Sequence, residues 1–521
     1  MKFLSKASTT TAALALVACA LTAPAAHAGT AAYTPWNTES KTYTSQAELE
    51  ADHGSELSTI TKHDIRDTFN GTDGTNNGQG YWKRDADGNI VYAQDGSAQT
   101  NLPTKLNWLI PVYNKYKDNK KVQFWTATSP AMNNREVNLA VITPTGDFDQ
   151  SRPTIYLLNG AGGADQGMDW ITETTGRENA NEDVVEFYLK KNVNVVIVQD
   201  GAFTYYTDWV DENVQTKYIK GPQKWETFLT KELPSVIEGP DYLNGNGQRA
   251  IAGMSMSATS SLLLAEHNPG FYDAVGSYAG CAATSTLMPR LYTAVTVYRA
   301  GTAFPSQMWG PMGSETNIYN DALINSNNLR GSKLYISTST GLPGENERLS
   351  NILSRNGNNL SSGISTASTL IIEGGSIEAA AHDCTVQLKN KLDGEGIEAN
   401  YNFRPTGTHS WPGWREDLWK SWDTYAEAFG QPTGTDIDPV IGTTPASTDV
   451  TDVTDQAAEV DTPAAEDATG TQTGTDTVGD AIGATTDTAT DTTQPLGDAL
   501  DAALTNTTGT NGTTGATGTT E

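Results

Sequence analysis

Residues 249–265 read RAIAGMSMSATSSLLLA, which predicts a short apolar strand, a sharp turn that carries Ser255, and a helix of small residues and leucine. A nucleophile elbow has this order, because its serine must stand on a strained turn above a sheet, with small residues two positions to either side. Gly253 and Ser257 occupy those positions, and Ser257 replaces the usual glycine. We therefore predict that Ser255 is a nucleophile, which requires a base and an acid elsewhere in the chain.

The first 28 residues have the features of an export signal. Two lysines precede an apolar run over residues 12–21, and Ala28 ends a small-residue cleavage pattern. Cys19 offers a lipoprotein cleavage site as an alternative, but the apolar run continues past it, so we predict cleavage after Ala28. No later stretch approaches the ~20 apolar residues of a membrane span. The sequence predicts a secreted, cell-envelope protein with no transmembrane segment.

Composition divides the rest of the chain into three parts. Residues 29–105 are polar and rich in turn signals, which predicts an N-terminal extension with a hairpin near residues 81–92. Residues 106–429 are predicted to form the folded domain. Residues 430–521 contain no lysine, arginine or aromatic residue, so we predict a disordered acidic tail that either associates with the cell wall or only adds solubility. The net charge of −29 gives no indication of nucleic-acid binding.

Short apolar strands alternate with helices over the folded domain. Strands are predicted at residues 137–142, 154–158, 193–198, 250–252, 274–278, 334–338 and 400–403. Helices are predicted at residues 182–191, 227–237, 257–267, 377–392 and 414–429. This alternation predicts an α/β fold with a mostly parallel sheet covered by helices on both faces.

A glycine-rich loop is predicted beside the nucleophile. Residues 159–163 read NGAGG and follow a buried strand, and ligands bind at the carboxyl ends of the strands in such sheets. A backbone N–H in this loop and the N–H of Met256, next to Ser255, could form a two-donor oxyanion hole.

His409 is the favoured general base. The other histidines are His27 in the export signal, His53 and His63 in the extension, and His267 and His382 within predicted helices. His409 instead follows a predicted strand and comes after Ser255, as the chain order serine, acid, histidine requires.

The acid is less clear from the residues alone. Glu345 and Glu347 come soon after the strand at residues 334–338, where the general order of such enzymes would place it, and Glu373 and Glu378 compete.

Two cysteines remain if the signal is cleaved. They are Cys281 and Cys384, and an even number of cysteines in an oxidising compartment predicts one disulfide. Two separate buried thiols are the alternative.

Several motifs together resemble the mycolyltransferases of the antigen 85 family, which have the α/β-hydrolase fold. The matching stretches are SPAM at 129–132, YLLNG at 156–160, YTDW at 206–209, KWETFLTKELP at 224–234, GMSM at 253–256 and NFRPTGTHSW at 402–411. They occur in the family's order, and they leave the signal, the extension and the tail uncovered.

The resemblance implies a serine acyltransferase. It assigns the nucleophile to Ser255, the base to His409, and the oxyanion donors to the backbones of Met256 and Ala161. The family's glutamate opens a helix about thirty residues before the histidine, and this favours Glu378 over the glutamates nearer the strand. The implied reaction moves a mycoloyl chain from trehalose monomycolate to another trehalose monomycolate, to arabinogalactan or to another envelope glycolipid, with no metal or organic cofactor.

The sugar-binding positions depart from the family pattern. The family has an aspartate and an arginine where this chain has Asn159 and Gly162, so a changed sugar site is expected. Asn159, Gly162 and Trp411 are the expected substrate-binding residues.

The acyl chain requires an apolar trough. Residues 287–312 carry apolar side chains at helical spacing, and we predict that they form a lid over the site. Two rival functions are a secreted carboxylesterase that uses water as acceptor and a wall-associated binding protein with vestigial catalytic residues.

Overall fold

The computed structural model describes residues 46–355 and 359–434. The predicted export signal and most of the predicted tail lie outside the described residues. Within the described part of the chain, no helix is both long and apolar enough to cross a membrane.

One nine-stranded sheet organises the described residues. Its strands are β1 (Ile60–His63), β2 (Val122–Ser129), β3 (Arg135–Ile142), β4 (Arg152–Leu158), β5 (Asn194–Val198), β6 (Gly245–Met254), β7 (Ala274–Tyr278), β8 (Lys333–Ser339) and β9 (Asn400–Arg404). Their order is β1-β2-β3-β5-β4-β6-β7-β8-β9. The pairs from β1 to β5 are antiparallel, and every pair from β5 across to β9 is parallel.

The helices fill the connections between the strands. They are α1 (Gln46–His53), α2 (Ile65–Asn70), α3 (Leu109–Tyr116), α4 (Trp170–Thr174), α5 (Val184–Tyr188), α6 (Trp225–Thr227), α7 (Pro234–Ile237), α8 (Met256–His267), α9 (Leu287–Tyr298), α10 (Pro305–Trp309), α11 (Glu315–Tyr319), α12 (Leu349–Arg355), α13 (Leu360–Ser368), α14 (Gly375–Glu395), α15 (Trp411–Lys420) and α16 (Trp422–Phe429). Two π-helical turns, Phe228–Glu232 and Thr369–Gly374, join α6 to α7 and α13 to α14.

Both faces of the sheet are covered. In β4, Tyr156 and Leu158 belong to one apolar cluster, whereas Ile155 and Leu157 belong to another. Successive side chains of a strand point to opposite faces, so the two clusters are the two layers of the core. Helices α8 and α14 contribute to the first layer, and α3 and α16 to the second. With this strand order and with Ser255 between β6 and α8, the architecture is the α/β-hydrolase fold, as the sequence predicted.

The predicted extension does not stand apart from the domain. Strand β1 pairs with β2 at the edge of the sheet, with Ile60 opposite Ala127. Phe69 and Trp82 are buried in the second core layer. The boundary at residue 105 therefore does not mark a break in the fold, because a few aromatic side chains anchor this otherwise polar segment.

The structure contains elements that the sequence did not predict, among them β1 and α3, and the helix predicted at residues 414–429 is two helices, α15 and α16. Strand β2 was not predicted, because polar residues such as Thr126 and Ser129 are buried in it and hide its apolar pattern. The helix predicted at residues 227–237 is interrupted by the π-helical turn.

Candidate active site

Ser255 occupies a strained turn between β6 and α8. Its backbone has φ 57° and ψ −120°, a region that non-glycine residues rarely adopt. Gly253 is required by the same turn, because a Cβ atom at this position would lie 2.3 Å from the carbonyl oxygen of Ser257. The elbow predicted from the sequence is therefore present, and its strain presents the Ser255 hydroxyl at the end of the strand.

Ser257 has a structural reason to replace glycine. Its side chain is fully buried, and its Oγ accepts a hydrogen bond from the Met254 N–H at 3.0 Å. The same Oγ lies 3.0 Å from the Met254 carbonyl oxygen and 3.3 Å from that of Leu158 on β4. The hydroxyl therefore ties the turn to the neighbouring strand, which a glycine could not do.

His409 connects Ser255 to Glu378. Its Nε2 lies 2.7 Å from Ser255 Oγ, and its Nδ1 lies 2.8 Å from Glu378 Oε2. The loop that carries His409 is held by a hydrogen bond from its backbone N–H to the Gly374 carbonyl at 3.0 Å. This is the arrangement in which a histidine removes the proton of a serine while a carboxylate orients the ring.

Glu378 is held rigidly near the start of α14. Its side chain is buried, and its second oxygen accepts hydrogen bonds from the Ser339 N–H at 2.6 Å and the Thr338 hydroxyl at 3.2 Å. Both donors lie at the carboxyl end of β8. The carboxylate is therefore fixed between the sheet and the histidine ring.

The competing glutamates have other positions. Glu347 accepts hydrogen bonds from the Ser410 hydroxyl at 2.9 Å and the Gly344 N–H at 2.8 Å, and so supports the residue after His409 rather than His409 itself. Glu345 is exposed, and Glu373 lines the cavity described below without bonding the histidine. The general placement of the acid directly after the strand does not hold because a helical segment separates β8 from α14.

The two expected oxyanion donors flank Ser255. Met256 is the first residue of α8, so its N–H has no partner within the helix. Ala161 lies in the loop after β4, and its carbonyl accepts a hydrogen bond from the Phe203 N–H at 2.7 Å. A Cβ atom on the adjacent Gly160 would lie only 3.7 Å from Ser255 Cβ, so this loop passes close to the nucleophile.

A cavity of about 680 Å³ opens above Ser255 and His409. One wall is the loop that includes Ala161 and Gly162, and another is formed by Trp411 and Trp414. Their rings pack edge to face, with centroids 5.3 Å apart. Three arginines also reach this cavity, namely Arg177, Arg299 and Arg415, and no pattern in the sequence had indicated them.

Asn159 does not line this cavity, which corrects the expectation that it binds substrate. It is fully buried, and its Nδ2 donates to the Val198 carbonyl at 2.9 Å and to Gln199 Oε1 at 3.0 Å. Its Oδ1 accepts from the Trp170 N–H at 3.0 Å. The side chain thus joins neighbouring segments of the backbone, and its hydrogen bonds are satisfied within the protein.

Gly162 and Trp411 do line the cavity. The space in which a side chain at residue 162 would begin is occupied by Gln166, whose Oε1 would lie 2.2 Å from a Cβ atom there. Gln166 therefore fills the space that the glycine leaves free.

Residues 287–312 do not form the apolar side of the cavity that the sequence predicted. Of residues 287–312, Arg299 alone contributes to the cavity lining, while Met308 and Trp309 are buried in the core. Leu287 and Met288 are about half exposed, at 51% and 53%. The apolar wall comes instead from Ile352 on α12, Leu370 in the second π-helical turn and Ile377 in the first turn of α14. On α9 the buried residues are Arg290, Thr293, Ala294 and Val297, so the apolar residues at helical spacing, Leu287, Met288, Leu291 and Val295, lie on a more exposed face.

His63 and His267 have hydrogen-bond partners away from Ser255, and the His382 ring packs edge to face against Phe403. His267 Nδ1 lies 2.9 Å from Glu226 Oε2, and His63 Nε2 lies 3.0 Å from Thr126 Oγ1. Within residues 46–355 and 359–434, no cluster of three or more histidine, cysteine or acidic side chains could hold a metal ion.

The structure also contains the predicted disulfide between Cys281 and Cys384, which joins the loop after β7 to the middle of α14.

Comparison with known proteins agrees with this chemistry. Residues 129–424 match the family described as "Putative esterase". The chain is 28% identical to the diacylglycerol acyltransferase/mycolyltransferase Ag85A of Mycobacterium leprae (strain TN) over 269 residues, which are 51% of this chain and 72% of that protein. It is 25% identical to Ag85B of the same organism over 51% of this chain and 73% of that one.

A crystal structure of Mycobacterium tuberculosis MPT51 (FbpC1) aligns with 58% of this chain and 95% of its own, at 18% identity and a TM-score of 0.43. The family match extends over more than half of the chain and includes Ser255, Glu378 and His409. The chain therefore belongs to this esterase family and is an α/β-hydrolase enzyme of the esterase or acyltransferase type.

Proposed function

We propose that the protein is a serine acyltransferase that moves a mycoloyl chain from trehalose monomycolate to a second trehalose monomycolate or to another envelope acceptor. The observation that carries this proposal is the hydrogen-bonded series Ser255, His409 and Glu378 at the base of a cavity with one apolar wall. The relatives named as mycolyltransferases support the choice of acyl group.

In the first half-reaction, His409 Nε2 takes the proton from Ser255 as Oγ attacks the ester carbonyl of the donor. The N–H groups of Met256 and Ala161 stabilise the negative oxygen of the tetrahedral intermediate, and losing one such donor typically costs ~10²-fold or more in rate. His409 then returns the proton to the departing trehalose oxygen, and an acyl ester remains on Ser255.

In the second half-reaction, an acceptor hydroxyl replaces trehalose in the cavity. His409 takes its proton, the oxygen attacks the acyl ester, and the same oxyanion donors stabilise the second intermediate. His409 finally returns the proton to Ser255. Glu378 stays ionised and stabilises the charged imidazole in both halves.

The segment between β8 and α14 is the proposed acyl-binding wall. Besides the residues that line the cavity, it exposes Leu360, Ile364 and Ile372 to 60%, 48% and 67%. They lie on α13 and the second π-helical turn, which pack against each other and against α12 and α14, where Ile352 and Ile377 line the cavity. A long alkyl chain that emerges from the cavity would cover surface that is otherwise exposed to water.

The remaining parts of the proposal rest on the sequence. We propose that residues 1–28 direct export, that residues 106–429 carry the catalytic domain, and that the acidic tail at residues 430–521 associates with the cell wall. The reaction needs no metal or organic cofactor, because Ser255 and His409 exchange every proton and Glu378 stabilises the charged imidazole. A binding protein would have no need for three side chains in these contacts, and the rival that remains is a carboxylesterase.

Purified full-length protein incubated with trehalose monomycolate tests the proposal. We expect trehalose dimycolate to exceed free mycolic acid, with neither product formed by Ser255→Ala. Free mycolic acid as the main product, with trehalose or another hydroxyl acceptor present in excess, would show that water is the acceptor and that the protein is a carboxylesterase.

A further inference from the structure

A second cavity, of about 290 Å³, borders the loop that follows β4. The reactive cavity is lined by residues 160–163, and the second cavity is lined by Asp165, two residues further along the same loop. The hydrogen bond from the Phe203 N–H to the Ala161 carbonyl joins that loop to residues 201–204, which form another wall of the second cavity.

Two fixed carboxylates face this cavity. Asp200 follows β5, and its Oδ2 accepts hydrogen bonds from the backbone N–H and the side-chain amide of Asn138, both at 3.0 Å. Asp165 lies in the short helical turn Ala164–Gln166 and lines the same cavity. Burial, followed by the nearby charge of Asp200, raises the pKa of Asp165 to about 6. The cavity therefore presents hydrogen-bond acceptors whose positions are set by the backbone.

Donors surround the two carboxylates. The Arg135 guanidinium is held by hydrogen bonds to Gln223 Oε1 at 3.0 Å and to the Pro222 carbonyl at 3.1 Å. Its centre lies 5.9 Å from the centroid of the Trp225 ring. At the rim, Lys217 Nζ lies 4.8 Å from the centroid of the Tyr218 ring. The cavity therefore contains cationic donors beside the faces of aromatic rings.

The charges of this cavity nearly balance. Its lining includes the carboxylates of Glu136, Asp165 and Asp200 and the cations of Lys105, Arg135, Lys217 and Lys220. A metal ion would be repelled by the lysines and the arginine, and a strong anion by the buried carboxylates. A neutral ligand avoids both penalties, provided that it offers donors to the carboxylates and acceptors to the cations.

We propose that this cavity binds a neutral polyhydroxylated group, such as one or two sugar rings. A hydroxyl both donates and accepts hydrogen bonds, so one sugar can satisfy Asp165 and Asp200 together with Arg135 and Lys217. The partly exposed Tyr218 ring offers apolar surface to the carbon face of the sugar ring. The volume is at the lower end of the range for ligand pockets, about 300 to 1,000 Å³, which suits a small ligand rather than a polymer.

The proposed site stands independently of the acyl transfer, so its test uses protein that cannot react. Full-length Ser255→Ala is titrated with trehalose and with glucose by isothermal calorimetry, and contact is checked by saturation-transfer NMR. In that background, Asp165→Asn removes a charged acceptor with little change in shape, and Lys217→Met removes a rim donor. Asp149→Asn, an exposed carboxylate outside the cavity, is the matched control.

We expect the unmodified Ser255→Ala chain to bind at least one of the two sugars. Asp165→Asn should weaken that binding at least about tenfold, because hydrogen bonds to charged groups are among the stronger ones. Lys217→Met should weaken it less, and Asp149→Asn should leave it unchanged. Parent enzyme whose Ser255 has been blocked by a bulky phosphonate should still bind the sugar.

Three results would overturn the proposal. They are no binding of either sugar, binding that Asp165→Asn and Lys217→Met leave unchanged, and binding that disappears when the phosphonate fills the reactive cavity. The last result would place the sugar beside Ser255 instead. None of the three depends on whether the enzyme transfers or hydrolyses its substrate.

Discussion

His409 Nδ1 lies 2.8 Å from Glu378 Oε2, although 31 residues separate them and two other glutamates, Glu345 and Glu347, follow β8 more closely. The contact depends on α14, which begins at Gly375 and directs Glu378 toward the carboxyl end of β8. The acid therefore reaches the histidine from the far end of a helical insertion.

Glu378→Gln should lower kcat by about 10³- to 10⁴-fold and change KM little, because the amide neither fixes the histidine tautomer nor stabilises its charged form. Steady-state rates with a soluble acyl ester measure the effect. Glu345→Gln is the matched control, and it should stay within about tenfold of the parent, as should Glu347→Gln and Glu373→Gln. If kcat instead collapsed in Glu345→Gln or Glu347→Gln while Glu378→Gln stayed active, Glu378 would not be the acid.

Ser257→Ala should destabilise the protein by about 1–3 kcal/mol, because it leaves the buried Met254 N–H without its acceptor. The rate should fall as well, since the same bond shapes the turn that carries Ser255. Chemical denaturation measures the first effect. Exposed Ser350→Ala, on α12, should change stability by less than about 0.5 kcal/mol. Equal stability of Ser257→Ala and the parent would show that the hydroxyl does not hold the elbow.

The histidine and the serine could be found from the sequence because few residues compete for their roles. The chain has six histidines, and His409 alone combines a place after a predicted strand with the required order. The acid was ambiguous, because six glutamates lie between β8 and His409 and the residues alone do not show how far the insertion displaces α14. The resemblance to a known family, rather than periodicity, selected Glu378.

Two other features could not be read from the residues. Asn159 follows a strand, as a binding residue would. Its side chain instead forms hydrogen bonds to β5 and α4, and these partners are distant in sequence, so the residues alone do not show them. Residues 287–312 and the insertion that contains Ile364 and Ile372 are both apolar at helical spacing, and only the fold shows which of them borders the cavity.

The disulfide between Cys281 and Cys384 should stabilise the domain. It closes a loop with a sequence separation of 103, for which chain entropy predicts about 4–5 kcal/mol, often less in practice. Intact-mass analysis of unreduced protein should find neither cysteine alkylated, and the Cys281→Ala, Cys384→Ala double variant should unfold at a lower temperature. Two alkylated thiols in unreduced protein would contradict the bridge.

Glu232 should make stability depend on pH. Burial is the largest cause that raises its pKa from the ordinary value near 4.5 to about 7, against hydrogen bonds from Ser129 and Ala131 that lower it. The folded state thus holds a proton that the unfolded state releases above about pH 4.5. The resulting stability is fully present below about pH 4.5 and is lost as pH rises to about 7, a change on the order of 3 kcal/mol.

Glu232→Gln replaces the protonated carboxyl by a neutral amide, so its stability relative to the parent should rise between pH 5 and pH 7.5. Urea denaturation of both proteins across this range measures the difference. Glu212→Gln, which alters an exposed carboxylate, should show no such trend. A constant difference between Glu232→Gln and the parent would mean that Glu232 is ionised throughout.

The most direct test of the account is the mass of the enzyme during turnover. Full-length protein is mixed with trehalose monomycolate, quenched within seconds and analysed intact, and the adduct is located by peptide mapping. We predict an increase of one mycoloyl group on the peptide that contains Ser255, its loss when an acceptor sugar is added, and no adduct on Ser255→Ala. Turnover without an acyl-enzyme, or an adduct that persists in Ser255→Ala, would contradict the account.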